Sequence, residues 1–293
     1  MSNNTKKTLI VAPNAGFANR LRAMAGAIWL AEKLNMNIEH LWIGSPYKCC
    51  PYKHIQDIHD KSFEYFFKQS IPRCDYNIMK NHVNKAYNSD MPGSNPSCWY
   101  NFQSYGQKLL DIPNVMNLNL VTERMDNSEN ILIETSHFNQ LKITDEDMYK
   151  IYSKYFIPHN NFMEMLDNIP PDTIGISIRC NYDFMHSFPD SKINEVLLIK
   201  WLKTIEQPVL FFSDNLTLRD RMRKHIKHPI IPRFESIKHN DNGFLSFLSL
   251  SKCSKLYGTI LSSFYEEAAK FGGIKSQPLS DKHLTQMIEI TAK

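Results

Sequence analysis

Two spacings of hydrophobic residues alternate along this chain. Short apolar runs mark buried strands, and stretches with apolar residues three or four apart mark helices. Thr8–Pro13 is the first strand, Gly16 a tight turn, and Leu21, Met24, Ala25, Ile28 and Ala31 follow at helical spacing. Asn37–Ile43 is a second strand and completes a β-loop-α-β unit, for which parallel pairing through a right-handed crossover is the default. Residues 44–110 read as irregular, aromatic-rich chain with Pro46, Pro51, Pro72, Pro92 and Pro96, and Asp90–Pro96 is a loop signal. Glu129–Ser136, centred on Ile131-Leu132-Ile133, is a further buried strand. Thr144-Asp-Glu-Asp has capping-box character and opens a helix to about Phe156. Another helix covers about Asn160–Asn168, before Pro170-Pro171.

From Thr173 the pattern restarts. Thr173–Ile178 is a strand, and Lys192–Thr204 holds a helix with Val196, Ile199 and Leu202 on one face. Pro208–Phe212 is a strand, Leu216–His225 a charged helix and Phe244–Leu250 an apolar one. Lys255–Gly258 is a short strand and Ser263–Phe271 a helix. Strands alternating with helices predict an α/β protein with parallel sheets. The restart near residue 160 predicts two such domains, 1–157 and 158–293, with a cleft between them.

Composition narrows the function classes. The 293 residues suffice for one large or two medium domains, and 42% hydrophobic residues is ordinary for a globular protein. A formal net charge of +4 with no long basic block gives no argument for nucleic acid, and it suits phosphate-bearing small molecules. No run approaches the roughly 18 apolar residues of a membrane span. Met1–Lys7 is polar, without the look of a secretory leader, so a cytoplasmic location is expected. Cys49, Cys50, Cys74, Cys98, Cys180 and Cys253 lack paired C-x-x-C spacing and read as free thiols of a reducing compartment.

Four places carry candidate chemistry. In Asn14–Arg22, Asn19 can cap the first helix, leaving Arg20 and Arg22 in or beside its first turn. A helix N-terminus disfavours cations, so the arginines either answer a bound anionic or oxygen-rich group or are simply solvated. In Ile174–Asp183, Arg179 follows a buried strand, at the carboxyl edge where α/β sheets bind ligands. Its guanidinium can grip a diphosphate through paired hydrogen bonds, or make a structural salt bridge. In Gly258–Ala268, a strand, a Ser/Thr-rich turn and a helix start place Ser262 and Ser263 at a positive helix end. That arrangement cradles phosphate without a Walker lysine, and serine caps also open many helices that bind nothing. Phe211-Phe-Ser-Asp-Asn ends a strand in Ser213 and Asp214, and Asp241 precedes the Phe244 helix. Either aspartate suits a ribose or base edge, or a helix cap.

In this order the motifs resemble one family. Gly-x-x-Asn-Arg after the first strand, Ile-x-Ile-Arg at mid-chain, Phe-x-Ser-Asp, and Leu-Ser-Lys-Cys…Gly-Thr…Ser-Ser-Phe…Glu-x-Ala look like the fucosyltransferase superfamily. That superfamily includes rhizobial chitin-oligosaccharide, α1,6- and protein O-fucosyltransferases. The resemblance spans most of the chain outside residues 44–130. It implies a GT-B-like fold, with two Rossmann-like domains of parallel sheet facing across a cleft, and an inverting glycosyltransferase that needs no metal and no other cofactor. By resemblance Arg179 binds the donor β-phosphate, Ser262, Ser263 and Phe264 form the phosphate turn, and Asp241 lies near the nucleobase. Asp214 joins the donor set, and Gly16, Asn19 and Arg20 serve the sugar and the glycan acceptor.

The chain also departs from the family. Where relatives carry His-x-Arg-Arg it has Ser177, Arg179 and Cys180, so the implied GDP-fucose competes with a UDP-sugar such as UDP-xylose. Some relatives place a glutamate base where this chain has Ala15, which leaves Asp183 and His186, after Arg179, as candidate bases. A non-catalytic nucleotide- or glycan-binding module is a further alternative. A dinucleotide oxidoreductase would need G-x-G-x-x-G, and Gly16 stands alone; a P-loop sulfotransferase would need a lysine-bearing loop.

Overall fold

The computed structural model describes residues 6, 8–13, 16–40, 42, 61–74, 130–135, 143–180, 185–186, 188–236 and 241–291. The described chain divides after Ile157 into two compact units. In the first, three parallel strands, β1 (Thr8–Pro13), β2 (Asn37–His40) and β3 (Asn130–Thr135), stand in the order β2-β1-β3. Leu9 pairs with Ile38 on one side and Ile131 on the other. Leu9, Ile10 and Val11 are all buried, as expected for a parallel strand covered on both faces.

Helix α1 (Phe17–Lys33) is buried over most of its surface because Ala23, Ala25, Gly26, Ala27 and Ala31 let it lie close to its neighbours. It ends in a Schellman motif. Asn35 takes a left-handed φ of 53°, Met36 N–H donates to the Ala31 carbonyl and Asn35 N–H to that of Glu32. Its start corrects the expected cap: Gly16, extended, holds the cap position, and Asn19 and Arg20 lie inside the helix. Phe17 and Ala18 are buried, so the helix begins earlier than the polar Asn19 suggests. The arginines therefore fall beyond the first turn, and the dipole argument for a bound anion there loses its footing.

An aromatic cluster builds the rest of this core. Phe17 stands edge-on to Trp42 and to Phe66, at 6.0 and 5.2 Å between ring centres. Phe63, from the helical turn Phe63–Phe66 within the expected irregular stretch, packs on Phe156 at 5.3 Å. Phe156 caps the carboxyl end of α2 (Asp145–Tyr155), whose cap Thr144 accepts from Asp147 N–H as the capping box predicts.

The second unit holds five parallel strands: β4 (Ile174–Ile178), β5 (Val209–Ser213), β6 (Pro229–Ile230), β7 (Lys255–Thr259) and β8 (Lys275–Leu279). Their order is β6-β5-β4-β7-β8. Before, between and after them run α3 (Asn160–Met165), α4 (Glu195–Leu202), α5 (Leu216–Arg223), α6 (Asn242–Leu250), α7 (Ser263–Gly272) and α8 (Asp281–Thr291). Ile176, Val209, Phe211 and Tyr257 join Leu198, Trp201, Met222 and Leu284 in one core cluster, and the alternate positions Leu210 and Phe212 are buried as well. On α4 the buried residues are Leu198, Trp201 and Leu202; Val196, expected inside, is 61% exposed. Helix α7 ends as α1 does, with Gly273 at φ 65° and Ile274 N–H on the Ala269 carbonyl. Among the described residues no helix is long and apolar enough to cross a membrane.

One buried titratable group makes the first unit sensitive to pH. His40, fully buried, accepts Trp42 N–H on Nδ1 (3.1 Å), and its Nε2 lies 2.9 Å from Glu64 Oε1. Burial holds the imidazole below its ordinary pKa of 6.5, against the opposing pull of Glu64 and with the help of Arg73. Below that value the unfolded chain takes up a proton that the folded chain refuses, so this stabilisation is complete above pH 6.5 and is lost as pH falls. Urea unfolding from about pH 7.5 to about pH 5 is expected to show falling stability, with a shallower slope in His40→Gln. Equal slopes would contradict it.

Candidate functional site at the carboxyl edge of the second sheet

The topology of the second unit selects one edge. From β4 the chain steps outward to β5 and β6, then returns to β7 on the opposite side of β4. The carboxyl ends of β4 and β7 therefore flank a topological switch point, where open α/β sheets form ligand crevices. Arg179 directly follows β4, and Thr259 ends β7.

Three segments are hydrogen-bonded together at that edge. Arg179 N–H donates to Thr259 Oγ1 (2.9 Å) across the switch point. The next residue, Cys180, donates its N–H to Asp214 Oδ1 (2.8 Å) after β5, and its sulfur lies 3.5 Å from Ser213 Oγ. Two consecutive amides are thus held by side chains from the strands on either side, which fixes the backbone that carries the half-buried Arg179. Burial pushes the Cys180 thiol up to about 11, so it stays protonated near neutrality and offers no thiolate nucleophile.

The segment after β7 has an unusual backbone. Leu261, 59% exposed, sits at φ 65°, a left-handed conformation that bulky side chains rarely adopt. Ser262 follows at the cap position of α7, its N–H on the Thr259 carbonyl (3.0 Å). Its side chain caps nothing: Oγ is fully buried and has no hydrogen-bond partner among the described residues. The first N–H groups of α7 therefore lack the side-chain acceptor usual at a helix start, and an anion placed there would meet them and the helix dipole. Gly258 lets α7 lie this close, because a Cβ there would stand 2.2 Å from the Tyr265 ring.

Of the other donor-side candidates, Phe264 packs edge-on against Phe247 of α6 at 5.6 Å. Asp241, buried, occupies the cap position of α6 but caps with no side-chain bond. Asp214 does not cap α5 either. Asn215 does, accepting from Leu218 N–H (3.0 Å), while Asp214 receives the Cys180 amide. His186 is exposed, and Asp183 lies outside the described residues. Gly16, Asn19 and Arg20 belong to the first unit. There Asn19 Oδ1 accepts from Arg22 (2.8 Å), and buried Arg20 carries its guanidinium 5.9 Å from the Trp42 ring centre. Thr259 and Leu261 escaped the sequence reading of the site: one acts through strand register, and the other is a residue type with no preference for its conformation. Among the described residues no three His, Cys, Asp or Glu side chains form a metal-binding group.

No family model matches the chain, and no curated protein matches it in sequence. Solved structures do. NodZ alpha-1,6-fucosyltransferase co-crystallized with GDP aligns with a TM-score of 0.58 at 14% identity, covering 91% of this chain and 92% of that one. The fold is that of the fucosyltransferases. NodZ from Bradyrhizobium gives 0.55 at 14% identity over 91% and 93%. POFUT1 in complex with GDP-fucose gives 0.56 at 11% identity over 95% of this chain and 99% of its own. These alignments cover 91–95% of this chain, and the fold they share is that of the proteins whose motifs the sequence resembles.

The strained turn yields a stability test. Replacing Leu261 with glycine removes a left-handed penalty of about 1–2 kcal/mol and adds backbone entropy to the unfolded state. Leu261→Gly is therefore expected to be more stable than the parent by about 0.5–1 kcal/mol in urea unfolding. A loss of stability would mean that the turn is not strained.

Proposed function

We propose that this chain is an inverting, metal-independent glycosyltransferase of the GT-B type that moves fucose from GDP-fucose to a glycan acceptor. The observation that carries the reading is the switch-point edge, where Arg179 stands beside a helix start that its own serine leaves uncapped. The fold adds support, since it is shared with NodZ and POFUT1, solved with GDP and with GDP-fucose.

The chemistry follows from the groups present. As the sugar–phosphate bond breaks, positive charge develops at the anomeric carbon and negative charge on the leaving β-phosphate. The Arg179 guanidinium and the first amides of α7, with Ser262, Ser263 and Phe264, stabilise that negative charge without a metal ion. Groups already aimed at developing charge contribute most to rate. Asp214 and Asp241 take the nucleoside, and Gly16, Asn19 and Arg20 of the first unit serve the acceptor. Asp183 and His186, following Arg179, are the candidates for the base that deprotonates the acceptor hydroxyl.

A UDP-sugar donor is the second reading, favoured by one observation: Ser177 and Cys180 stand where relatives carry histidine and a second arginine, and Cys180 is turned to Ser213. Thermal unfolding with nucleotides separates the two. GDP at about 100 times its Kd is expected to add about 2.7 kcal/mol, or roughly 5–10 °C in Tm. A shift with UDP in place of GDP transfers the reading to UDP-sugars, and a shift with neither overturns it.

Arg179→Ala is expected to lower transfer from GDP-fucose by about 10²–10³-fold with folding intact. Binding of GDP-fucose without any turnover in the parent would instead point to a non-catalytic module. Near-normal turnover in the folded variant would remove Arg179 from the reaction.

A further inference from the structure

A buried ion pair lies just behind the edge described above. Strand β6 is two residues long and pairs only with Val209 and Leu210 of β5. Val209 N–H donates to the His228 carbonyl on that side, so Phe211, two residues on, turns its own carbonyl the same way, past the end of β6. Arg223 fills the gap. From the last turn of α5 its Nη2 donates to the Phe211 carbonyl at 2.7 Å. The same guanidinium grips Glu235 with both nitrogens, Nη1 to Oε2 at 2.6 Å and Nη2 to Oε1 at 2.7 Å. Both side chains are only 8% exposed, and Arg219 Nη1 adds a third contact to Glu235 at 3.0 Å.

The clasp ties together the end of β5, the last turn of α5 and the helical turn Arg233–Ser236, where Phe212 and Phe234 also stack with ring centres 6.3 Å apart. Phe211 is two residues from Ser213 and three from Asp214, whose carboxylate holds the Cys180 amide. Glu235 sits on the helical turn Arg233–Ser236, in the stretch of chain that leads to Asp241. A planar, bidentate fork fixes distance and angle in a way that a single point charge does not. The clasp lies on the β5 side of β4, and the phosphate turn lies on the β7 side.

We infer that Arg223 and Glu235 are positioning residues for nucleobase selection: they hold the end of β5 and the helical turn Arg233–Ser236 in the geometry that distinguishes one nucleotide from another, while the start of α7, on the far side of β4, receives the diphosphate. The inference rests on the nucleotide-sugar reading above.

Calorimetry with GDP and with UDP on the full chain tests it, using Glu235→Gln, which keeps the side chain's size and removes its charge. Misplacing the end of β5 by enough to lose one hydrogen bond to the base corresponds to about a tenfold loss of affinity. The preferred nucleotide is expected to weaken by about tenfold and the other by less than about threefold, so that base preference shrinks. A merely structural role would lower both affinities together, and that result, or no change in either, overturns the inference. Because an orphaned Arg223 can unfold the chain, the double variant Arg223→Met, Glu235→Leu, which removes both charges, is measured beside it by the same criterion. If circular dichroism shows that neither variant folds, the pair is a stability element and the inference falls. A parent chain that binds neither GDP nor UDP overturns the nucleotide-sugar reading itself, and this inference with it.

Discussion

The hydrogen bond from Arg179 N–H to Thr259 Oγ1 joins β4, the central strand, to β7, which the chain reaches only after stepping out to β5 and β6 on the other side. Past the carboxyl end of β4, side chains hold the backbone to its neighbours. Thr259 does this on one side of β4, and Asp214, through the Cys180 amide, does it on the other. With both amides fixed, the arginine that follows β4 is presented beside the start of α7 rather than left on a loose loop. Preorganisation of this kind lets an electrostatic site act without reorganisation at the moment of reaction.

Much of the fold is legible in the residues. Strands β1, β4, β5 and β7 are short apolar runs buried on both faces, the pattern parallel sheets impose. Strand β8 carries no apolar signature, because Lys275, Ser276, Gln277 and Pro278 are all exposed and the strand is held through its backbone pairing to β7. Strand β6 is too short to carry a period. Asn19 misled because capping propensity is local, whereas the start of α1 is decided by the burial of Phe17 and Ala18.

The candidate site divides in the same way. Arg179, Asp214, Ser262 and Ser263 were readable because each sits where an apolar run gives way to polar residues. Thr259, Leu261, Arg223 and Glu235 were not, since their roles arise from register and packing between segments far apart in sequence. Asp214 and Asn215 show the limit most plainly. Both are good capping residues, and only the three-dimensional structure assigns the cap to Asn215 and the strand tie to Asp214.

A crystal structure of the chain with GDP tests the central claim most directly. The β-phosphate is expected within hydrogen-bond distance of the Arg179 guanidinium and of the first amides of α7 at Ser263 and Phe264. GDP bound away from the carboxyl edge of the second sheet, or with its phosphates clear of both Arg179 and α7, would contradict it.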